Sequence, residues 1–290
     1  MIGPRQLVKS LRARQRERAA HRAVELRWRA HRPAAAPRTK TPVIVSLTSY
    51  APRFGTLAPT IKSLLTQSLP PDAVHLWIGH ADVASVPDEV RQFTAAGLEI
   101  HACEDFRSYT KFVHALRAYP QHRIAICDDD TWYRPHWLEQ LAAPLPADQI
   151  ACHRIHRIRL AGGRPIPYNE WEQESPARDA SPLNFPTGVG GVLFRADQLH
   201  PDILDVATAR TLCPTADDTW LYWMARRAGS TFVRVGKNDT LVTWNGSQHV
   251  ALWRTNNVAD LANDPQIAAM IDRFGPDAFT TDAKHRISWQ

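Results

Sequence analysis

Arg123-Ile124-Ala125-Ile126-Cys127-Asp128-Asp129-Asp130 is the stretch that decides the fold. After Arg123, four apolar residues run without a polar interruption and then meet three carboxylates. A short continuous apolar run of this kind belongs to a strand covered on both faces. Three runs upstream share its character: Val43-Ile44-Val45-Ser46-Leu47, Val74-His75-Leu76-Trp77-Ile78 and Leu98-Glu99-Ile100-His101. Between them lie helical patterns. Leu57, Ile61, Leu64 and Leu65 form one stripe within 57–67, residues 88–96 follow the second strand, and Phe112, Val113 and Leu116 mark 109–118. A β-α-β-α-β-α-β order predicts a mainly parallel α/β sheet with helices on both faces. Right-handed crossovers then place the strand C-termini, and any ligand, on one edge. Downstream the pattern predicts a helix over 135–141, strands over 149–153 and 189–194, a helix over 218–228 and a buried strand over 231–235.

Composition narrows the function classes. The chain has 290 residues, 44% of them hydrophobic, which is enough to bury a core and excludes global disorder. No apolar run is long enough to span a bilayer, and the basic N-terminus lacks the apolar stretch of a secretory signal. Cys103, Cys127, Cys152 and Cys213 are too few and too scattered for a disulfide scaffold, so a reducing, cytoplasmic setting is expected. The net charge of +6 is unevenly distributed. Residues 1–40 hold 12 of the 35 basic and 2 of the 29 acidic side chains, leaving 23 and 27 for residues 41–290. The body is therefore mildly acidic, and a general nucleic-acid surface on it is not expected.

This split predicts a basic helical arm with a linker over 1–40 and one domain over 41–290. The arm carries Leu7, Val8, Leu11, Ala19, Ala20, Ala23, Val24 and Trp28 loosely on one face, with arginines around the rest. The arm reads as a solvated helix or one docked on the body, or as a peripheral contact of 1–32 with an anionic membrane surface, which would place the protein at the inner face; a transit peptide, against which its single serine counts, and nucleic-acid binding by the arm are the lesser alternatives.

The turn after the first strand, Thr48-Ser49-Tyr50-Ala51-Pro52-Arg53-Phe54-Gly55, has no early glycine, and no Walker loop occurs anywhere. Phosphate is therefore not cradled by a glycine-rich loop. In Asp128-Asp129-Asp130, strand alternation predicts Asp128 and Asp130 on one side and Asp129 on the other. Two carboxylates 5 Å apart repel by about 3 kcal/mol at an effective dielectric near 20. A divalent cation offsets that and also binds a diphosphate; a helix cap followed by solvated acids is the plainer alternative. A second acidic pair, Asp217-Asp218, opens a predicted helix, where it reads as a cap or as a general base. Gly188-Val189-Gly190-Gly191 reads as a bulge or as the floor of a sugar site. Lys111 opens a helix after the third strand and could bring charge to a phosphate.

Seven ordered blocks then form a pattern: Val45-Ser46-Leu47-Thr48-Ser49-Tyr50, Leu64-Leu65-Thr66-Gln67-Ser68, Ser108-Tyr109-Thr110-Lys111, Ala125-Ile126-Cys127-Asp128-Asp129-Asp130, Pro167-Tyr168-Asn169-Glu170-Trp171, Gly188-Val189-Gly190-Gly191-Val192 and Asp217-Asp218-Thr219-Trp220. From about residue 43 to 225 the chain resembles the bacterial family-2-like glycosyltransferases of GT-A fold, a Rossmann-like mixed sheet that binds nucleotide-diphosphate sugars. The resemblance implies metal-dependent transfer of a sugar from such a donor to a glycan or lipid-linked acceptor, with inversion, in surface polysaccharide or glycolipid synthesis. It implies Asp128 and Asp130 as ligands of Mn2+ or Mg2+, with His249 as candidate third ligand. It places Thr48, Tyr50, Asp105, Lys111 and Asp129 along the donor. Asp218 matches the base position, although Asp217 stands where the family has Glu, which leaves both as candidates. Gly190, Gly191, Trp171 and Trp220 are candidate sugar contacts. Two other readings remain: a metal-dependent phosphohydrolase, although Trp132 breaks the haloacid-type motif, and an inactive sugar-binding scaffold.

Overall fold

The computed structural model describes residues 4–31, 41–237, 240–245 and 263–280. Seven strands form the central sheet: β1 (Val43–Ser49), β2 (Ala73–Gly79), β3 (Leu98–Cys103), β4 (Arg123–Ile126), β5 (Gln149–Cys152), β10 (Val192–Phe194) and β11 (Thr231–Arg234), in the order β11-β5-β10-β4-β1-β2-β3. All run parallel except β10, which pairs antiparallel with both β4 and β5. Four short strands lie outside it, paired as β6 (Ile155–Arg157) with β9 (Asn184–Pro186) and β7 (Leu160–Ala161) with β8 (Arg164–Pro165).

The alternation along β1 shows how the sheet is covered. Val43, Val45 and Leu47 face one side with Val74, Leu76 and Ile78 of β2. There they meet Leu57, Ile61 and Leu64 of α2 (Leu57–Leu65) and Trp137, Leu138 and Leu141 of α5 (Trp137–Ala142). Ile44, Ile124 and Ile126 face the other side, against Phe112, Val113 and Leu116 of α4 (Thr110–Ala118) and Trp220, Leu221 and Tyr222 of α7 (Asp217–Arg227). Each large side chain so buried contributes about 1.5–3 kcal/mol. Among the described residues the remaining helices are α1 (Pro4–Ala30), α3 (Asp88–Arg91), α6 (Val206–Leu212) and α8 (Asn263–Phe274).

The expected strands all form, but the one predicted over 189–194 begins only at Val192, because Gly188–Gly190 makes a 3-10 turn. Helices α6 and α8 and the four short strands were not anticipated. The 88–96 helix breaks after Arg91 into a 3-10 turn that ends at Gly97 with φ 104°, a conformation that favours glycine.

The arm docks on the body. Ala20 and Val24 of α1 are fully buried against Val242 and Trp244. Trp28 meets Phe93 edge-on at 5.0 Å, and Arg27 donates to the Thr66 carbonyl at 2.6 Å. Lys62 of α2 reaches Glu25 at 2.8 Å. The buried stripe is narrower than the sequence suggested, since Leu11 and Ala19 are exposed. The stripe formed by Ala20, Val24 and Trp28 is therefore occupied by the body and is closed to lipid. No helix among the described residues is long and apolar enough to cross a membrane.

Val24→Asp would put a charge into this seam. We expect a loss of about 2–3 kcal/mol of unfolding free energy in urea; a loss below about 0.5 kcal/mol would show that the helix does not dock in solution.

Candidate active site

A cavity of about 850 Å³ opens at the C-terminal edge of the parallel strands, where ligands bind in sheets of this kind. Thr48 and Ser49 end β1, and Tyr50 and Arg53 follow them. Asp128, Asp129 and Asp130 follow β4. Asp105, Arg107, Ser108 and Lys111 come from the entry to α4, and Asp217 and Asp218 from the first turn of α7. Antiparallel β10 starts at this same edge, because Val192 lies opposite Ile126. Its lead-in puts Thr187 and Val189 on the cavity wall.

Lys111 is the centre of the charged floor. Its ammonium, almost wholly buried, lies 2.9 Å from Asp128 Oδ1 and 3.1 Å from Asp217 Oδ2. Burial alone would lower the Lys111 pKa, but Asp128, Asp217 and Asp218 outweigh it and hold it well above the ordinary value. Burial likewise opposes ionisation of Asp128; Lys111 and Arg53 overcome it and keep that carboxylate below its usual pKa. The contact to Asp217 is ionic but off-line, so Oδ2 is buried without a well-aligned hydrogen bond.

Arg53 is the second cation, and nothing in its sequence context marked it. Its guanidinium reaches Asp129 Oδ1 at 2.6 Å and Asp130 Oδ2 at 2.9 Å. Ser49 Oγ donates to Asp129 at 2.6 Å. Burial still pushes Asp129 up to about 6 against the pull of Arg53 and Ser49. The expected alternation of the three aspartates does not hold. β4 ends at Ile126, the chain turns, and Asp129 and Asp130 share Arg53 while Asp128 turns to Lys111. The turn is held by Tyr133, whose hydroxyl accepts from Asp128 N at 2.9 Å, and by Trp244 N, which donates to the Asp130 carbonyl at 2.9 Å.

Asp218 differs from its neighbour. Asp217 is buried against Lys111, whereas Asp218 is half-buried and accepts from Gly188 N at 2.9 Å. Burial, reinforced by the charge of Asp217 and countered by Lys111, raises its pKa to about 7. Gly188 permits this approach: a Cβ there would stand 3.0 Å from both Asp218 Oδ1 and Lys111 Nζ. Upstream of the helix, Gln266 of α8 bonds the backbone N–H groups of Thr215 and Ala216 at 3.1 and 3.0 Å, fixing the approach to the acidic turn. A pattern did exist for α8: Asn263-Asp264-Pro265 followed by Ile267, Met270, Ile271 and Phe274.

Thr48, Tyr50, Asp105, Lys111, Asp128, Asp129, Asp130, Asp217 and Asp218 thus surround one cavity. Four residues expected at the sugar do not line it. Trp220 is fully buried and donates to the Ile203 carbonyl, and Trp171 is buried and donates to Ile166. Both are core residues of an α/β face that needs large rings. Gly190 and Gly191 serve packing: a Cβ would stand 2.7 Å from Arg154 Cβ and 2.5 Å from the Trp137 ring, and Gly191 has φ 95°. His249 lies outside the described residues.

The donor set suits the divalent ion expected from the motif. Four aspartates pair with Lys111 and Arg53 and Asp218 lines the same cavity, so carboxylate charge exceeds that of these two cations. All the donors are hard oxygens, which suit Mg2+ or Mn2+. The chemistry fits, although Asp130 now pairs with Arg53 and would have to share it.

No family model matches the chain, and no curated protein matches it. Solved structures do. Glucosyl-3-phosphoglycerate synthase from Mycobacterium tuberculosis, in complex with Mn2+, uridine diphosphate and phosphoglyceric acid, superposes with a TM-score of 0.50 at 14% identity over 84% of each chain. S. aureus TarS 1–349 gives 0.47 at 12% identity, covering 80% of this chain and 71% of TarS. 4-Diphosphocytidyl-2C-methyl-D-erythritol synthase gives 0.43 at 12% identity, covering 73% and 98%. The architecture, a seven-stranded and mostly parallel sheet with one antiparallel strand, is that of the nucleotide-diphospho-sugar transferases of GT-A fold.

Lys111→Met keeps the stem and removes the charge. Leaving Asp217 buried and Asp128 half-buried without their cation should cost about 3–5 kcal/mol at pH 7–8 in urea unfolding. A cost below about 1 kcal/mol would mean that water, not Lys111, compensates the floor.

Proposed function

We propose that the protein transfers a sugar from a nucleoside-diphosphate donor to a hydroxyl of a glycan or lipid-linked acceptor, with inversion, in surface polysaccharide or glycolipid synthesis. The observation that carries this reading is the pairing of two carboxylate groups with different environments across one cavity. Asp128 to Asp130 are tied to cations at the end of β4, and Asp218 lines the same cavity with its pKa raised to about 7.

This reading gives each residue a role. Asp128 and Asp130, with His249 as a candidate third ligand, would hold Mn2+ or Mg2+, which when bound stabilises charge on the departing diphosphate. Arg53, at the cavity wall, offers a guanidinium suited to phosphate oxygens. Lys111 is pinned by Asp128 and Asp217 and offsets part of their negative charge at the floor. Thr48, Tyr50 and Asp105 line the region assigned to the nucleoside. Asp218 is the base: with a pKa near neutrality it can take the acceptor's proton as the hydroxyl attacks the anomeric carbon from the face opposite the diphosphate. Asp217, engaged with Lys111, adds to the effect of burial in raising that pKa rather than accepting the proton.

Nucleotide release from a panel of UDP-, GDP-, CMP- and dTDP-sugars, with and without Mn2+, tests the reaction. Metal-dependent turnover of one donor, lost in Asp130→Asn, is expected; absence of both donor binding and turnover would overturn the reading.

The base assignment has its own signature. kcat/KM should rise with pH through about 7 as Asp218 loses its proton. Asp218→Asn should cost about 10²–10⁴-fold. Asp217→Asn should retain turnover and move the acidic limb to lower pH, because the charge of Asp217 helps hold the Asp218 proton. The reverse result would make Asp217 the base. The linkage also has a sign. A carboxyl pKa raised on folding adds stability that is present below the unfolded value near 4 and lost as pH rises through about 7. Asp218→Asn should therefore unfold at a higher temperature than wild type at pH 8.

We further propose that 1–32 make a peripheral contact with the cytoplasmic face of a membrane through the arginines that α1 turns away from the body, among them Arg12, Arg14, Arg16, Arg18 and Arg22. With the Ala20 stripe occupied, the contact is electrostatic and salt-sensitive. Binding to anionic vesicles should fall steeply between low and physiological salt and disappear when residues 1–31 are removed; unchanged binding after removal would refute it.

A further inference from the structure

At the other end of β2 and β3, away from the cavity, three side chains converge on the α4 face of the sheet. Their placement follows from strand register. His75 lies opposite Glu99 and Trp77 opposite His101 in the parallel pair, and residues two apart share a face. His75 Nδ1 stands 2.9 Å from His101 Nε2, and Glu99 Oε2 stands 3.5 Å from the first and 3.6 Å from the second. Among the described residues these three form the one group of three or more His, Cys, Asp and Glu side chains whose donor atoms all lie within 4.8 Å of one another.

We propose that His75, Glu99 and His101 form a binding site for Zn2+ or a similar borderline transition-metal ion, separate from the carboxylate site. The separations carry the argument. The point equidistant from the three atoms lies about 2 Å from each, which is the bond length of zinc to imidazole nitrogen and carboxylate oxygen. A single proton shared between the imidazoles satisfies one of the three contacts; a dication satisfies all three. Two nitrogen donors and one oxygen favour Zn2+ over the Mg2+ or Mn2+ suited to the aspartates.

The rings are already held. His101 stacks on Trp77 at 4.3 Å, and His75 lies against Tyr119 at 4.5 Å. His75 is enclosed, while Glu99 is 51% exposed and His101 26%, so the ion has an entry path and water can complete a tetrahedron. β3 is the edge strand of the sheet. The ion would therefore fasten that edge to β2.

The test uses the full chain, free of any polyhistidine tag and stripped with chelator. It is titrated with Zn2+ by calorimetry and with Co2+ in the visible range, and its melting temperature is followed with added Zn2+. We expect one equivalent bound, a tetrahedral Co2+ spectrum and a rise in melting temperature. His101→Gln and Glu99→Gln, both at partly exposed positions, should each weaken binding at least tenfold and lose the thermal shift, while Asp130→Asn keeps both. Absence of binding at micromolar Zn2+ would overturn the proposal and leave His75 and His101 as a hydrogen-bonded pair. Binding that survives both substitutions would overturn it too, by placing the ion elsewhere.

Discussion

The buried ammonium of Lys111 is the constraint on which the rest of the site depends. It joins the end of β4 to the start of α7, two segments nearly 90 residues apart, through Asp128 and Asp217. A charge in that position is tolerable only with both partners present, because an unpaired ion loses its hydration without return. The position is fixed from below as well. The Lys111 carbonyl accepts from Ser46 Oγ, and Ser46 in turn accepts from the Trp77 indole at 2.9 Å. Sheet, helix and acidic turns are thus registered against one another by a chain of polar contacts that crosses an otherwise apolar layer.

Around that point the site keeps some groups ionised and others close to neutrality. Asp128 is driven below the ordinary carboxylate range by its cations, whereas Asp129 and Asp218 are held near 6 and 7 by burial and like charge. Neighbouring groups with pKa values pushed apart are a common mark of sites that move protons or hold cations. Here the difference follows from the balance of burial and like charge against Lys111 and Arg53 at each position, not from residue type.

Much of the first half was legible from sequence because parallel strands covered on both faces write themselves as unbroken apolar runs. Val43–Leu47 and Arg123–Cys127 needed no alignment. Beyond residue 150 the strands shrink to two to four residues, too short for a period to show, and β6 to β9 went unseen. The acidic motifs were legible because three carboxylates at a strand end demand compensation; that the compensation includes Arg53 was not, since an arginine in a turn has no pattern. The glycines and tryptophans misled for a common reason. Gly191 is a glycine because Trp137 occupies the space of its Cβ, and Trp220 is large because the α7 face is deep. Packing and ligand contact select the same residue types, and only position separates them.

The docking of α1 bears on the order in which the molecule is assembled. The helix is the first described segment to leave the ribosome, yet Val242 and Trp244, against which Ala20 and Val24 pack, are made more than two hundred residues later. Glu17 also accepts from the backbone of Asn245. These contacts therefore form only after the sheet exists, and they close over the turn that carries Asp130, since Trp244 N binds its carbonyl. Long-range closures of this kind are slow. A high net charge of the kind the arm carries opposes association between chains whose core is still incomplete.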